Sequence, residues 1–183
     1  MTVFGSSRPR EGDADYVEAR ALGRELAMRG FVVCTGGYGG VMEAASRGAK
    51  EAGGRTLGVT AEFFRARPNA WVDEEVRVAT WQDRLFELVR RGAGYVACKG
   101  GTGTLVEFAV VWEMLNKGVM ASKPFVVLGD FWQPVLERVR EVEAAGESSE
   151  RRATHATREA GAPIVRVALT PADAAAWLAG VLL

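Results

Sequence analysis

Short apolar runs alternate along this chain with stretches whose apolar residues recur at helical spacing, and that alternation predicts a mostly parallel sheet covered by helices. The strand candidates are Met1 to Gly5, Phe31 to Cys34, Arg55 to Thr60, Glu75 to Ala79, Gly94 to Cys98, Phe125 to Gly129 and Ile164 to Ala168. Between the first two, Asp13 can cap a helix whose apolar face reads Ala14, Val17, Ala21, Leu22 and Leu26, and Gly30 stands where helices stop. A second helix follows Gly36 to Gly40 and ends near Gly53-Gly54. A third starts after Thr80 and reaches Arg91, a fourth runs from Thr104 to about Asn116, and a fifth from Trp132 to Ala145. The last opens on Thr170-Pro171-Ala172-Asp173, a capping residue with proline at the first helical position and an acid in the first turn. The expectation is one α/β domain over residues 1–183, a doubly wound, mostly parallel sheet of about seven strands with helices on both faces. Glu62 to Asp73, rich in Arg and Pro, and Gly146 to Gly161, rich in Ser, Arg and Glu, read as the mobile segments.

Composition removes several classes of function. With 23 basic against 23 acidic side chains, bulk attraction to nucleic acid or an anionic membrane has no support, so any anion site must be local. Two cysteines, Cys34 and Cys98, cannot staple a chain of 183 residues, and they read as buried free thiols. The Met1 to Gly5 start has no basic region followed by an apolar run, and the apolar stretches fall well short of the ~20 residues of a membrane span. A cytoplasmic protein is expected. The single histidine, His155, lies in a polar stretch among Arg151, Arg152 and Arg158, and no His/Cys cluster has zinc spacing, so neither a metal nor a Ser-His-Asp set is expected.

The 22 glycines matter chiefly through two clusters. Strand Phe31 to Cys34 runs into Thr35-Gly36-Gly37-Tyr38-Gly39-Gly40 and a helix; strand Gly94 to Cys98 runs into Lys99-Gly100-Gly101-Thr102-Gly103-Thr104 and another helix. Each turn sits at the carboxyl end of a strand, where open Rossmann-like sheets bind ligands, and opens a helix N-terminus, whose free N–H groups favour an anion. Tight strand-to-helix turns are the alternative reading. Neither cluster completes the dinucleotide fingerprint, since Met42 and Val106 stand where a third glycine belongs, and no P-loop signature occurs. Glu107 follows Thr104 by three residues, which fits a capping box as well as a functional carboxylate, and Arg84 can equally be an exposed helical arginine pairing with Asp83 or Glu87.

The pattern Gly-Gly-x-Gly-Thr-x-x-Glu at Gly100 to Glu107, with Arg84 sixteen residues before its first glycine, resembles the Lonely Guy family, often misnamed lysine decarboxylase-like. Phe4-Gly5-Ser6-Ser7 and Gly36-Gly37-x-Gly39-Gly40-Val41-Met42 support the resemblance, which runs from Met1 to about Ala145. It implies a phosphoribohydrolase that splits a nucleoside 5′-monophosphate, AMP or a cytokinin-type N6-substituted AMP, into free base and ribose 5-phosphate, with Arg84 and Glu107 as the catalytic residues. It also implies a homodimer with sites near the interface. Four positions depart from the family: Lys99 for a proline, Leu85 for a lysine, Thr35 for a glycine and Glu43 for a small residue. Pyridoxal phosphate chemistry finds little here, because only Lys99 of four lysines stands at a ligand loop, and no cofactor is expected.

Breaking a ribosyl C–N bond passes through an oxocarbenium-like state, so a carboxylate near the anomeric carbon is the minimum equipment. Glu107 is the candidate, expected to be ionised because it falls in a first helical turn. The 5′-phosphate would rest on Gly100, Gly101, Thr102, Gly103 and Thr104, with Lys99 either an added cation or a solvent-facing residue. Gly5, Ser6, Ser7, Gly36, Gly37, Gly39, Gly40 and Met42 would line the base and ribose side. Arg84 would grip phosphate or ribose with its two-pronged fork or assist departure of the base. Asp83, Asp130 and Glu43 are the remaining candidates for a catalytic acid, and Trp81 and Trp112 read as core or dimer contacts. The helix Thr104 to Asn116, apolar on more than one side, suggests a partner subunit. The competing reading is a non-catalytic nucleotide-binding or molybdenum-cofactor carrier protein of the same superfamily.

Overall fold

The computed structural model describes residues 1–146 and 164–183; His155 and nearly all of the segment Gly146 to Gly161 therefore lie outside the described residues. Among the described residues seven strands, β1 (Thr2–Phe4), β2 (Val33–Thr35), β3 (Thr56–Ala61), β4 (Glu74–Val78), β5 (Tyr95–Ala97), β6 (Phe125–Leu128) and β7 (Val165–Ala168), form one sheet in the order β4-β3-β2-β1-β5-β6-β7. All six pairings are parallel. The chain winds outward from β1 through β2 to β4 and then, from β5, outward on the other side. The order thus reverses between β1 and β5, the place where such sheets open a crevice at their carboxyl ends.

Among the described residues six helices cover the sheet: α1 (Ala14–Met28), α2 (Val41–Glu51), α3 (Trp81–Arg91), α4 (Thr102–Asn116), α5 (Gln133–Gly146) and α6 (Pro171–Leu182). Alternation along each strand divides the core. Val96 and Cys98 face a cluster with Leu22, Leu26, Ala45 and Leu178 from α1, α2 and α6. Tyr95 and Ala97 face the opposite one, with Leu88, Phe108, Val111 and Leu136 from α3, α4 and α5.

Two expectations need correction. The buried stripe of α1 is Tyr16, Ala19, Leu22, Gly23 and Leu26, while Val17 is 56% exposed and Ala14 and Ala21 face solvent. The reason is the close crossing of α1 over α2: a Cβ on Gly23 would lie 1.9 Å from the Ala45 carbonyl oxygen, so the small residues, not the larger Val17 stripe, meet the neighbouring helix. Nor is α4 buried all round. Phe108, Val111, Trp112 and Leu115 face the sheet, but Leu105 and Ala109 on its outer side are exposed.

This packing separates two otherwise similar substitutions. Gly180, near the end of α6, has nothing within 4 Å of a built Cβ. Gly180→Ala should therefore raise stability by about 0.5–1 kcal/mol through helix propensity. Gly23→Ala gains the same propensity yet should lower stability by roughly 1–3 kcal/mol through overpacking. Thermal melts of both variants check the opposite signs.

Candidate active site

Helix α3 begins in a way that fixes Arg84. Thr80 caps it, accepting from the Asp83 N–H at 3.0 Å and donating to the Asp83 carboxylate at 2.6 Å, so Asp83 is occupied with the cap. Arg84, in the first turn, points inward and is only 6% exposed. Its Nε donates to the Val59 carbonyl at 2.9 Å, and its Nη2 donates to the Gly36 carbonyl at 3.0 Å and to the Met42 sulfur at 3.6 Å. Tyr38 and Phe64 present their ring faces to it, with centroids 5.4 and 5.5 Å from Cζ. Gly36 makes this possible, since a Cβ there would fall 1.6 Å from Nη2. Pairing with Asp83 or Glu87 does not occur; Glu87 is taken by Arg90 and Arg91.

One donor edge of Arg84 remains, Nη1, and it faces Glu107 Oε1 at 3.7 Å. The two-pronged phosphate grip expected of this arginine is not what the geometry offers, because the Nε and Nη2 donors are held by protein acceptors. Glu107 also departs from expectation. Helix α4 starts at Thr102 rather than Thr104, with Gly101 as its cap residue, so Thr104 already lies within the first turn and Thr-x-x-Glu is not a capping box. Glu107 falls in the second turn, its side chain 15% exposed. Burial raises its carboxyl to about 7, with Arg84 opposing the rise. At neutral pH the group is poised between its two forms rather than fully ionised.

The head of α4 is open. Among the described residues no side chain caps it, its first-turn N–H groups lie beyond the reach of intrahelical acceptors, and nothing comes within 4 Å of a Cβ built at Gly101 or Gly103. The head of α2 is different. The Ser6 carbonyl accepts from the Val41 N–H at 2.8 Å, and Gly40, at φ +70°, admits the Ser6-Ser7 backbone where a Cβ would lie 2.3 Å from the Ser6 oxygen. Gly5 packs on Val41, and Gly37 on Thr60. Gly36, Gly37 and Gly40 are buried, while Ser7 is exposed and Gly5, Ser6 and Gly39 are half-buried along the crevice. Ser6 ties the two loops together through its N–H to the Lys99 carbonyl at 3.2 Å. The Lys99 ammonium pairs with Asp15 at 3.1 Å. Glu43 accepts from the Tyr16 hydroxyl at 3.1 Å.

Sequence reasoning missed Tyr38, Phe64 and Asn69. The segment Glu62 to Asp73, expected to be mobile, is pinned: Asn69 donates its backbone N–H to the Gly37 carbonyl at 2.8 Å and its side-chain amide to the Gly37 and Tyr38 carbonyls at 3.1 and 2.9 Å. The Tyr38 hydroxyl donates to the Ala61 carbonyl and accepts from the Ala61 N–H, and Asp73 pairs with Lys50 at 2.6 Å. A tyrosine inside a glycine cluster and two adjacent phenylalanines in a polar stretch were the available signals. Cys34 and Cys98 are buried, and burial pushes both thiols up. Among the described residues no group of three or more His, Cys, Asp or Glu could hold a metal ion, and no helix is long and apolar enough to cross a membrane.

Residues 1–158 match the SLOG cluster4 family. The chain belongs to that family. It is the LOG-type grouping that the Gly100 to Glu107 pattern resembles, and several of its relatives carry the corresponding activity in their names. The cytokinin riboside 5′-monophosphate phosphoribohydrolase of Rhodococcoides fascians is 29% identical over 152 residues, covering 80% of this chain and 76% of that protein. Among solved structures, the molybdenum cofactor binding protein of Rippkaea orientalis has the same fold, with a TM-score of 0.71 at 24% identity over 100% of this chain and 94% of that one. The molybdenum cofactor carrier protein of Chlamydomonas reinhardtii reaches 0.68 at 28% identity, over 99% and 95%.

The raised Glu107 carboxyl has a consequence for stability. The folded chain holds this proton more tightly than the unfolded one, so the group's contribution is neutral at pH below its unfolded value. It becomes increasingly unfavourable as the pH rises from there to about 7, and is constant above. Glu107→Gln mimics the protonated acid. It should therefore melt above the wild type at pH 8, with the difference closing as the pH falls toward about 4.5, as paired thermal scans across this range will read.

Proposed function

We propose that this protein hydrolyses the N-glycosidic bond of a nucleoside 5′-monophosphate to free base and ribose 5-phosphate. The observation that carries the reading is the buried Arg84 and Glu107 pair, Nη1 to Oε1 at 3.7 Å, set one helical turn inside the uncapped head of α4. A phosphate on the N–H groups of Thr102, Gly103 and Thr104 takes up the helix dipole. Glu107 follows Thr104 by three residues, about 4.5 Å along the axis, a gap that the 5′ carbon and ribose ring bridge. The anomeric carbon then comes to the carboxylate, which stabilises the oxocarbenium-like charge and takes a proton from the attacking water. The base leaves with the electron pair of the C–N bond and is protonated by solvent. Arg84 acts on Glu107, holding its position and drawing its ionisation down toward neutrality, while its other donors stay on Val59 and Gly36.

A screen of nucleoside 5′-monophosphates, reading free base by chromatography, tests the activity. Turnover should rise with pH along an acidic limb centred near 7, since the working form is the carboxylate. Glu107→Gln should lose at least about a hundredfold in kcat with binding of AMP retained. Arg84→Ala removes the attraction that opposes burial, so its limb should move to higher pH. A limb that falls through 7 instead would assign Glu107 the role of an acid.

The solved relatives that carry molybdenum cofactor favour a second reading, a carrier with little turnover, because two of them span nearly the whole chain. Release of base from no nucleotide, together with retention of molybdenum cofactor on a column, would support that reading. We further propose a homodimer joined through the outer face of α4, where Leu105 and Ala109 are exposed. Light scattering should return the mass of two chains, and Leu105→Glu that of one.

A further inference from the structure

An apolar cavity of about 550 Å³ lies beside Arg84, lined by Phe63, Phe64, Ala79, Thr80, Trp81 and Gln82. We propose that it seats the base of the nucleotide, taking the flat, uncharged ring of a purine by stacking on Phe63, Phe64 and Trp81. The proposal deepens the nucleotide reading and rests on it. The lining residues follow the carboxyl ends of β3 and β4, the side of an open parallel sheet on which ligands bind. None of them is ionisable, so the cavity suits a neutral group and rejects a second phosphate. Three aromatic walls are a stacking surface, and two of them are exposed: Phe63 by 68% and Phe64 by 41%.

Phe64 joins this cavity to the reacting centre. Its ring lies 5.5 Å from Arg84 Cζ, and Arg84 Nη1 lies 3.7 Å from Glu107. A nucleotide with its phosphate on α4 and its anomeric carbon at Glu107 would extend its base along Arg84 toward Phe64. The wall is held by the protein's own bonds. Asn69 bonds to the Gly37 and Tyr38 carbonyls, Tyr38 bonds to both backbone groups of Ala61, and Phe64 packs edge-on against Tyr38 at 5.5 Å. Little ordering is then spent on binding. The volume falls within the roughly 300–1,000 Å³ of small-molecule sites. Trp81, expected in the core or at a dimer contact, is half-buried at the start of α3 and forms one side of this cavity.

Calorimetry with AMP, CMP and ribose 5-phosphate on the wild-type cavity, Phe63→Ala and Trp81→Ala, each in a Glu107→Gln background so that no nucleotide turns over, tests the assignment. Phe63 is exposed enough for its truncation to leave the fold intact. With the wild-type cavity AMP should bind more tightly than CMP or ribose 5-phosphate, and both variants should weaken AMP roughly tenfold while ribose 5-phosphate stays within about twofold. Unchanged AMP binding in both variants, with ribose 5-phosphate still bound, overturns the cavity and leaves the phosphate site standing. Equal losses for AMP and ribose 5-phosphate also overturn it. Binding of none of the three with the wild-type cavity overturns the nucleotide reading and the cavity with it. If Phe63→Ala converts a dimer to a monomer and keeps full AMP affinity, a second copy of the chain covers the cavity and the base does not.

Discussion

A buried guanidinium holds this site together. Burying a charge is costly unless its donors are answered, and Arg84 is answered from four directions: the Val59 carbonyl at β3, the Gly36 carbonyl after β2, the Glu107 carboxylate on α4 and the ring faces of Tyr38 and Phe64. Each answer constrains another part of the chain. Residue 36 must lack a side chain, the turn after β2 must aim a carbonyl inward, and the segment after β3 must return to place Phe64. Arg84 is therefore less a mobile ligand-gripping arm than a fixed post, against which the Glu107 carboxylate is set.

Much of this frame was legible in the residues. Strand runs such as Phe125 to Leu128 and caps such as Thr80 and Thr170 are local signals, and each strand and helix formed close to where periodicity put it. Phase was harder. On α1 two stripes compete, and the crossing with α2 selects the one containing Gly23, a contact made with Ala45 and invisible to any window on α1 alone. The same limit explains Tyr38 and Asn69. Their bonds run to Ala61 and back to Gly37, and a segment rich in Arg and Pro looks mobile until those partners are known.

The two glycine clusters show how similar letters acquire different physics. At Gly36 to Gly40 the space that the missing side chains leave is filled by the protein itself, with Arg84 against Gly36 and the Ser6-Ser7 backbone against Gly40. The Ser6 carbonyl answers the first N–H of α2. At Gly101 and Gly103 nothing fills the space, and the first turn of α4 keeps its donors unpaired by any side chain. Both are strand–glycine–helix turns. The first fills the space beside its glycines with protein and the second leaves it open, and the distinction depends on residues far away in sequence.

The separation between Arg84 and Glu107 matters as much as their proximity. A hydrogen-bonded pair would hold Glu107 firmly ionised and occupy one of its oxygens, leaving a structural ion pair. At 3.7 Å the arginine lowers the carboxyl without capturing it, and burial keeps it near 7. Such a carboxylate is a stronger base than an exposed one and is present in useful amount at neutral pH, the combination that proton transfer from water requires. The same burial costs the fold stability in that pH range, so the chain holds at its centre a group that would be more stable neutral.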